Sequence, residues 1–332
     1  MKHSIKAALL KSRFGSLISR VLRQHVLVLR YHSVLPSNSD LAYRIGSGIV
    51  HSLEAFERHM MLLKRHYAVV SVDELSEWIR ESRPVPPRSV CITFDDGFRD
   101  NYQYAAPIME KYGLRGTFYV SAGCIADSPP PWFCRLKHAF HVTKVTHWSD
   151  GEGNTWNLLD SQEKQEAFRA ACAHCAVLTG DSLSAAVRHL EEGLELEMRW
   201  DGEERLMMTA SEIRDLDARG HTIGSHGMEH PNIAQIPESA VRREMGESKA
   251  ILEGILGHEV RHFSYPSPIL QPHYTDQTTA ICRESGYATA VTCKPGACSR
   301  RDDPFVIPRI SAPHDPLELH WAIETAFLGR RL

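Results

Sequence analysis

The chain predicts an α/β fold in which strand–helix units repeat until a parallel sheet closes, or nearly closes, into a distorted barrel with a helical insertion at its rim. Three observations predict it. Short apolar runs alternate with amphipathic stretches from residue 26 to about residue 310. Two helix-start signatures, Ser71-Val72-Asp73-Glu74 and Thr209-Ala210-Ser211-Glu212, fall where that alternation needs helices to begin. Asp95 and Asp96 stand directly after one apolar run, at the strand end where an α/β barrel carries its chemistry.

The elements follow in order. Residues 26–31 form an apolar strand that ends at His32. A helix over 53–67 leads to a strand at 68–70, and Ser71 and Glu74 open the next helix. Residues 89–94 are a buried strand that runs into Asp95-Asp96-Gly97, followed by a helix over 105–112 and a strand over 115–120. The rhythm breaks between about 125 and 207. That stretch holds Pro129-Pro130-Pro131, four tryptophans (Trp132, Trp148, Trp156, Trp200) and helical patches at 161–178 and 183–193. It reads as an insertion over the barrel rim, either shaping a substrate groove or merely decorating the fold. Alternation then resumes with a helix from Thr209 to Gly220 and a strand over 221–225. Pro237 suits a first helical residue and Gly257 the end of the same helix. Strands at 261–264, 287–291 and 305–310 complete the set, so the barrel occupies residues 26–332.

Composition narrows the function. A net charge of −3 gives no electrostatic case for nucleic acid. The cysteines are scattered, and Cys172-Ala173-His174-Cys175 has no second pair at zinc-site spacing, so reduced thiols fit best. No stretch reaches the ~18 apolar residues that span a bilayer. Residues 1–25 are a basic amphipathic helix: Ile5, Leu9, Phe14, Leu17, Ile18, Val21 and Leu22 recur at helical spacing among Lys2, Lys6, Lys11, Arg13, Arg20 and Arg23. Such a helix lies on an anionic membrane or docks its stripe on protein. With no signal core visible, the expected location is cytoplasmic, and the helix is a candidate contact with the inner face of the membrane.

The chemistry concentrates in two places. Adjacent carboxylates in one pocket repel, so Asp95 and Asp96 need a cation or a shared proton. Ser225-His226-Gly227-Met228-Glu229-His230-Pro231 follows a strand of the same sheet. Two histidines and a carboxylate make a three-ligand set that leaves a metal open to water.

Thr93-Phe94-Asp95-Asp96-Gly97 together with His226-x-x-x-His230 closely resembles the polysaccharide deacetylases, metal-dependent amidohydrolases of N-acetylated sugars. The resemblance runs over residues 26–310 and includes Leu29-Arg30-Tyr31-His32-Ser33-Val34. It implies the barrel of that family and hydrolysis of an N-acetyl, or O-acetyl, group on a polysaccharide or lipid-linked sugar. It implies Asp95 as base and Asp96, His226 and His230 as metal ligands. Zinc is the expected metal, and cobalt, nickel and manganese also accept two His and one Asp. The chemistry agrees with that division. An acetamide needs a polarised carbonyl and a nucleophilic water, both of which a divalent metal supplies, and a carboxylate off the metal takes the proton.

Later motifs depart from the family pattern. The third reads Phe263-Ser264-Tyr265-Pro266-Ser267-Pro268 without an arginine, leaving a backbone N–H near Ser267 for the oxyanion hole. Arg309, in Ile307-Pro308-Arg309-Ile310, is the candidate to orient Asp95. Gly227 stands where the family has a hydroxyl residue, which removes an expected brace of that loop. Leu317-Glu318-Leu319-His320 reads as helix and is set aside as the acid motif, which leaves His314 as the expected acid and His32 as the other candidate.

Two rival functions remain. His226-Gly227-Met228-Glu229-His230 also matches a His-x-x-Glu-His zinc protease, but Gly227 and Pro231 oppose the helix that motif requires. A barrel that keeps the sugar cleft and has lost turnover is the other.

Overall fold

The computed structural model describes residues 25–125, 129–196, 205–266 and 269–328. The expected basic helix at the N-terminus, Trp200 and Ser267 lie outside the described residues.

The sheet starts with β1 (His25–Tyr31), in which Val26–Leu29 and Tyr31 are all buried, as in a strand covered on both faces. A side layer follows, in which β2 (Ser33–Leu35) and β3 (Val50–Ser52) pair in parallel on either side of the short helix α1 (Leu41–Ile45). The Ser52 hydroxyl accepts the Ala55 N–H and so starts α2 (Leu53–His66), which leads to β4 (Ala68–Val69). Ser71 and Glu74 form the predicted reciprocal cap of α3 (Val72–Glu81), and β5 (Ser89–Phe94) is buried throughout.

The expected helix at 105–112 begins earlier, as one π turn over Asn101–Ala105, before α4 (Ala106–Lys111). That wide turn coincides with an Asn101 side chain committed to the chain around His32, which propensity alone does not register. β6 (Thr117–Val120) precedes the insertion, formed by α5 (Trp132–Val142), the antiparallel pair β7 (His147–Ser149) and β8 (Thr155–Asn157), α6 (Ser161–Cys175) and α7 (Gly180–Gly193). It has an apolar core of its own that includes Trp132, Leu136, Phe140, Trp148, Val187 and Leu190. Cys172 and Cys175 are buried there.

The barrel resumes with α8 (Ala210–Ala218), β9 (Thr222–Ser225), α9 (Glu238–Leu256), β10 (His262–Ser264), α10 (Asp276–Glu284), β11 (Thr289–Val291), β12 (Cys298–Ser299), β13 (Ile310–Ser311) and α11 (Pro316–Phe327). Pro237 is the cap before α9 rather than its first residue. The expected strand at 305–310 is broken. Ile307 bridges Val291 and Ile310 pairs with Leu29, but Pro308 between them has no N–H to give a ladder. No described helix is long and apolar enough to cross a membrane.

The sheet order is β11-β10-β9-β6-β5-β1-β12, with every pairing from β11 to β1 parallel. The 307–311 segment spans from β11 back to β1 and nearly closes the barrel. Parallel register is what assembles the site. Tyr31, Phe94, Val120, Ser225 and Ser264 end their strands on one rim, so the residues that follow them emerge together.

Candidate active site

Asp96, His226 and His230 meet at that rim, all three buried. Asp96 Oδ1 lies 3.4 Å from His226 Nε2 and 3.5 Å from His230 Nε2. Asp96 (φ 77°) and His230 (φ 60°) are both left-handed, a strained conformation that short polar side chains tolerate and functional sites collect.

His226 Nδ1 donates to the Ser264 carbonyl at 2.7 Å, which leaves the Nε2 lone pair facing Asp96. Asp96 Oδ1 and His230 Nδ1 have no hydrogen-bond partner among the described residues. These features fit a metal. Two ligands of a tetrahedral ion at about 2.0–2.1 Å stand about 3.3–3.4 Å apart, close to the separations here. A buried carboxylate oxygen with no donor is otherwise unfavourable.

Asp95 is turned from that set toward Arg309. Arg309 Nη1 donates to Asp95 Oδ1 and Nη2 to Asp95 Oδ2, both at 2.7 Å, in a buried fork. The guanidinium is fixed by the Thr292 carbonyl (3.0 Å), Thr93 Oγ1 (3.2 Å) and Ser264 Oγ (3.0 Å), and Ser264 Oγ donates to Asp95 Oδ1 at 3.2 Å. Burial by itself would raise the Asp95 carboxyl, but the Arg309 charge outweighs it and holds the group well below the usual carboxylate range. Asp96 is likewise raised by burial and lowered further by the imidazoles of His226, His32 and His230.

The two candidate acids part company. His32 lines a cleft of about 310 Å³ with Asp96 and His230, and burial pushes its imidazole down to about 4. His314 does not line that cleft. It is exposed, its ring 4.5 Å from that of His51. Glu229 accepts from the Gly180 N–H (2.6 Å) and pairs with Arg243 (3.2 Å) rather than joining Asp96, His226 and His230, and residues 226–231 are not helical. That removes the geometry a His-x-x-Glu-His protease requires.

The sequence profile of the family "Polysaccharide deacetylase" matches residues 82–290. The chain belongs to the polysaccharide deacetylase family. It is therefore a deacetylase of the hydrolase class. A Bacillus subtilis (strain 168) protein, YxkH, whose name assigns it provisionally to the polysaccharide deacetylases, is 21% identical over 284 residues, 85% of this chain and 70% of that protein. Among solved structures, the Streptococcus pyogenes deacetylase PplD in complex with acetate superposes with a TM-score of 0.61 at 17% identity, over 90% of this chain and 98% of that one. IcaB from Ammonifex degensii gives 0.58 at 19% identity, over 90% and 97%. These likenesses establish the barrel with its curled sheet.

Several parts of this deacetylase site escaped the sequence. Gly227 has φ +78°, and a Cβ there would lie 2.9 Å from Glu244 Oε2. That carboxylate, from α9, accepts the N–H groups of Met228 (2.7 Å) and Glu229 (3.1 Å), so Glu244 braces the loop whose hydroxyl brace Gly227 lacks. Nothing in its spacing signals this. Asp100 accepts from Ser33 Oγ (2.6 Å) and the Val34 N–H (3.0 Å), while Asn101 Nδ2 donates to the His32 carbonyl (2.7 Å). Their position just after Asp95-Asp96-Gly97 was a usable signal. Trp132 Nε1 donates to the His230 carbonyl at 3.3 Å, and the Phe133 ring lies 4.8 Å from that of His230, so the insertion forms one wall of the site.

Proposed function

We propose that this deacetylase removes an N-acetyl group, or an O-acetyl group, from a sugar polymer or its lipid-linked precursor, with Asp96, His226 and His230 holding a divalent metal and Asp95 as base. Zinc is the first choice of metal, with cobalt, nickel or manganese compatible with the same donors. The observation that carries this is the division of labour between the carboxylates: Asp95 in the Arg309 fork, Asp96 with its unpartnered oxygen between two imidazole nitrogens.

The metal, when bound, supplies Lewis acidity, polarising the acetyl carbonyl and lowering the pKa of a water. Arg309 keeps Asp95 ionised and its two oxygens fixed, so the carboxylate is oriented to take a proton from the attacking water. Asp95 then returns that proton to the departing nitrogen or oxygen. His32, at about 4, is neutral at physiological pH and hydrogen-bonds substrate without carrying charge. The walls from the insertion exclude bulk water and strengthen each charge interaction within.

The test is acetate release from N-acetylhexosamine oligomers and lipid-linked acetamido sugars, before and after chelation and zinc readdition. Release should need metal and should vanish in Asp95→Asn while zinc binding persists. Release indifferent to chelation or to Asp95→Asn would overturn the reading. One bound metal with no release from any sugar or ester would favour a sugar-binding barrel.

A further inference from the structure

The insertion holds a second cavity, of about 420 Å³, between β7, α6 and α7. Helix α6 divides it from the cleft over the metal ligands. Phe168 and Cys172, about one turn apart, line the cleft, whereas Ala170, Ala173 and His174 line the cavity. The volume falls within the about 300–1,000 Å³ of small-molecule sites. The cavity stays open because the helices face it with small residues, Ala170 and Ala173 on α6, Ala186 and Gly193 on α7.

Trp148, on β7, supplies a directional group. Its ring is fixed, stacked on that of Trp156 at 5.3 Å between centroids and met edge-on by Phe140 at 5.6 Å. The residue is 6% exposed, yet its Nε1 has no acceptor among the described residues. A buried indole N–H normally finds one. A Cβ built on Gly193 would lie 3.6 Å from that nitrogen and meet nothing nearer, so the space beside the N–H holds no side chain.

The remaining lining narrows what can accept there. His147, His174 and His189 come from three different elements, and an imidazole can donate from one ring nitrogen and accept on the other. Among the described residues only Asp96, His226 and His230 bring three ligand atoms together, so these imidazoles do not make a metal site. The carboxylates of Asp150 and Glu152 disfavour an anion. Asp150 Oδ1 accepts the N–H groups of Glu152 (2.8 Å) and Asn154 (3.2 Å), which holds the hairpin turn over the cavity mouth. The complementary ligand is a neutral molecule with an apolar face and a rim of hydroxyls.

We propose that this cavity binds a pyranose unit of a neutral oligosaccharide or polysaccharide, apart from the catalytic cleft. The proposal rests on the deacetylase reading for the presence of such a polymer but not for the contact. A chain long enough to reach both sites is held at each, and the second contact, being intramolecular, raises the overall affinity.

The experiment is calorimetric titration of the full Asp95→Asn chain, so that turnover does not intervene. The probes are the tetramers of N-acetylglucosamine and of glucose, and their comparison tells whether the cavity reads the acetamido group. At least one should bind more tightly than about 1 mM. Gly193→Leu fills the cavity. Residue 193 ends α7 outside the left-handed region, and leucine favours a helix over glycine, so the variant folds. It should weaken that binding about tenfold or more. Trp148→Phe keeps an aromatic ring for the stack and removes the N–H, and should weaken it about two- to tenfold. Binding unchanged in a folded Gly193→Leu chain overturns the proposal, because the sugar then sits in the cleft alone. So does the absence of binding by either tetramer. Acetate release by the parent chain without any binding sensitive to Gly193→Leu would leave the deacetylase reading standing alone. Binding lost in Gly193→Leu, with a parent chain that releases no acetate, would do the reverse.

Discussion

Arg309→Met keeps the aliphatic stem and removes the guanidinium that holds Asp95. Arg309 is 1% exposed and gives Asp95 two 2.7 Å bonds. Removing one partner of a buried pair costs about 3–5 kcal/mol. At about 2.1 cal/mol/K per residue, the 332-residue chain unfolds with an entropy of about 0.7 kcal/mol/K, so Tm falls by about 4–7 °C. The larger consequence is electrostatic. Burial pushes the Asp95 carboxyl up and Arg309 more than reverses this, so without Arg309 the group rises. A base whose pKa rises is protonated at higher pH, and the acid limb of kcat/KM therefore moves to higher pH. Loss of the fork also frees the Asp95 rotamer, and misplacement of that order lowers kcat/KM about a hundredfold. The assay is kcat/KM against pH with zinc content measured alongside. The expected result is a depressed profile with a raised acid limb and unchanged metal. Arg309→Lys restores charge without the fork and should fall between the two. A folded Arg309 variant within about threefold of the parent, with an unmoved acid limb, would refute the reasoning.

Glu244→Leu should weaken zinc binding about tenfold or more in competition with a chromophoric chelator, because the Met228 and Glu229 amides lose their acceptor. Glu244→Gln keeps an acceptor and should retain most of the affinity, and equal affinity in both variants would rule out the brace. Glu324, on α11, is raised by burial but lowered further by His320, Arg88 and Tyr67, to about 2. A carboxyl depressed on folding contributes stability above its unfolded value near 4.5 and loses it as pH falls toward about 2; the contribution at neutral pH is of order 2–3 kcal/mol. Glu324→Gln should therefore flatten the dependence of Tm on pH between about 5 and 2, and superimposable curves would exclude the linkage.

Much of the site was legible because it is local. Asp95 and Asp96 follow directly on β5, and His226 on β9, so a correct strand end places each of them. The caps at Ser71 and Thr209 were equally readable, since each spans four residues. Arg309 could be named as a candidate, yet its fork on Asp95, 214 residues earlier, depends on the 307–311 segment returning to β1. His314 follows the last strand, but its ring lies against that of His51 and does not line the cleft.

The sequence by itself determined the alternating architecture, the helix starts, the strand-end placing of Asp95, Asp96 and His226 and the short spacing to His230, because periodicity, capping and strand-end motifs act over a few residues. Tertiary structure alone decided what surrounds them. Glu244 reaches its loop from α9, and Trp132 and Phe133 reach His230 from the insertion. Such contacts depend on how elements pack in three dimensions, and a single sequence carries no local mark of a partner met only after the chain has folded.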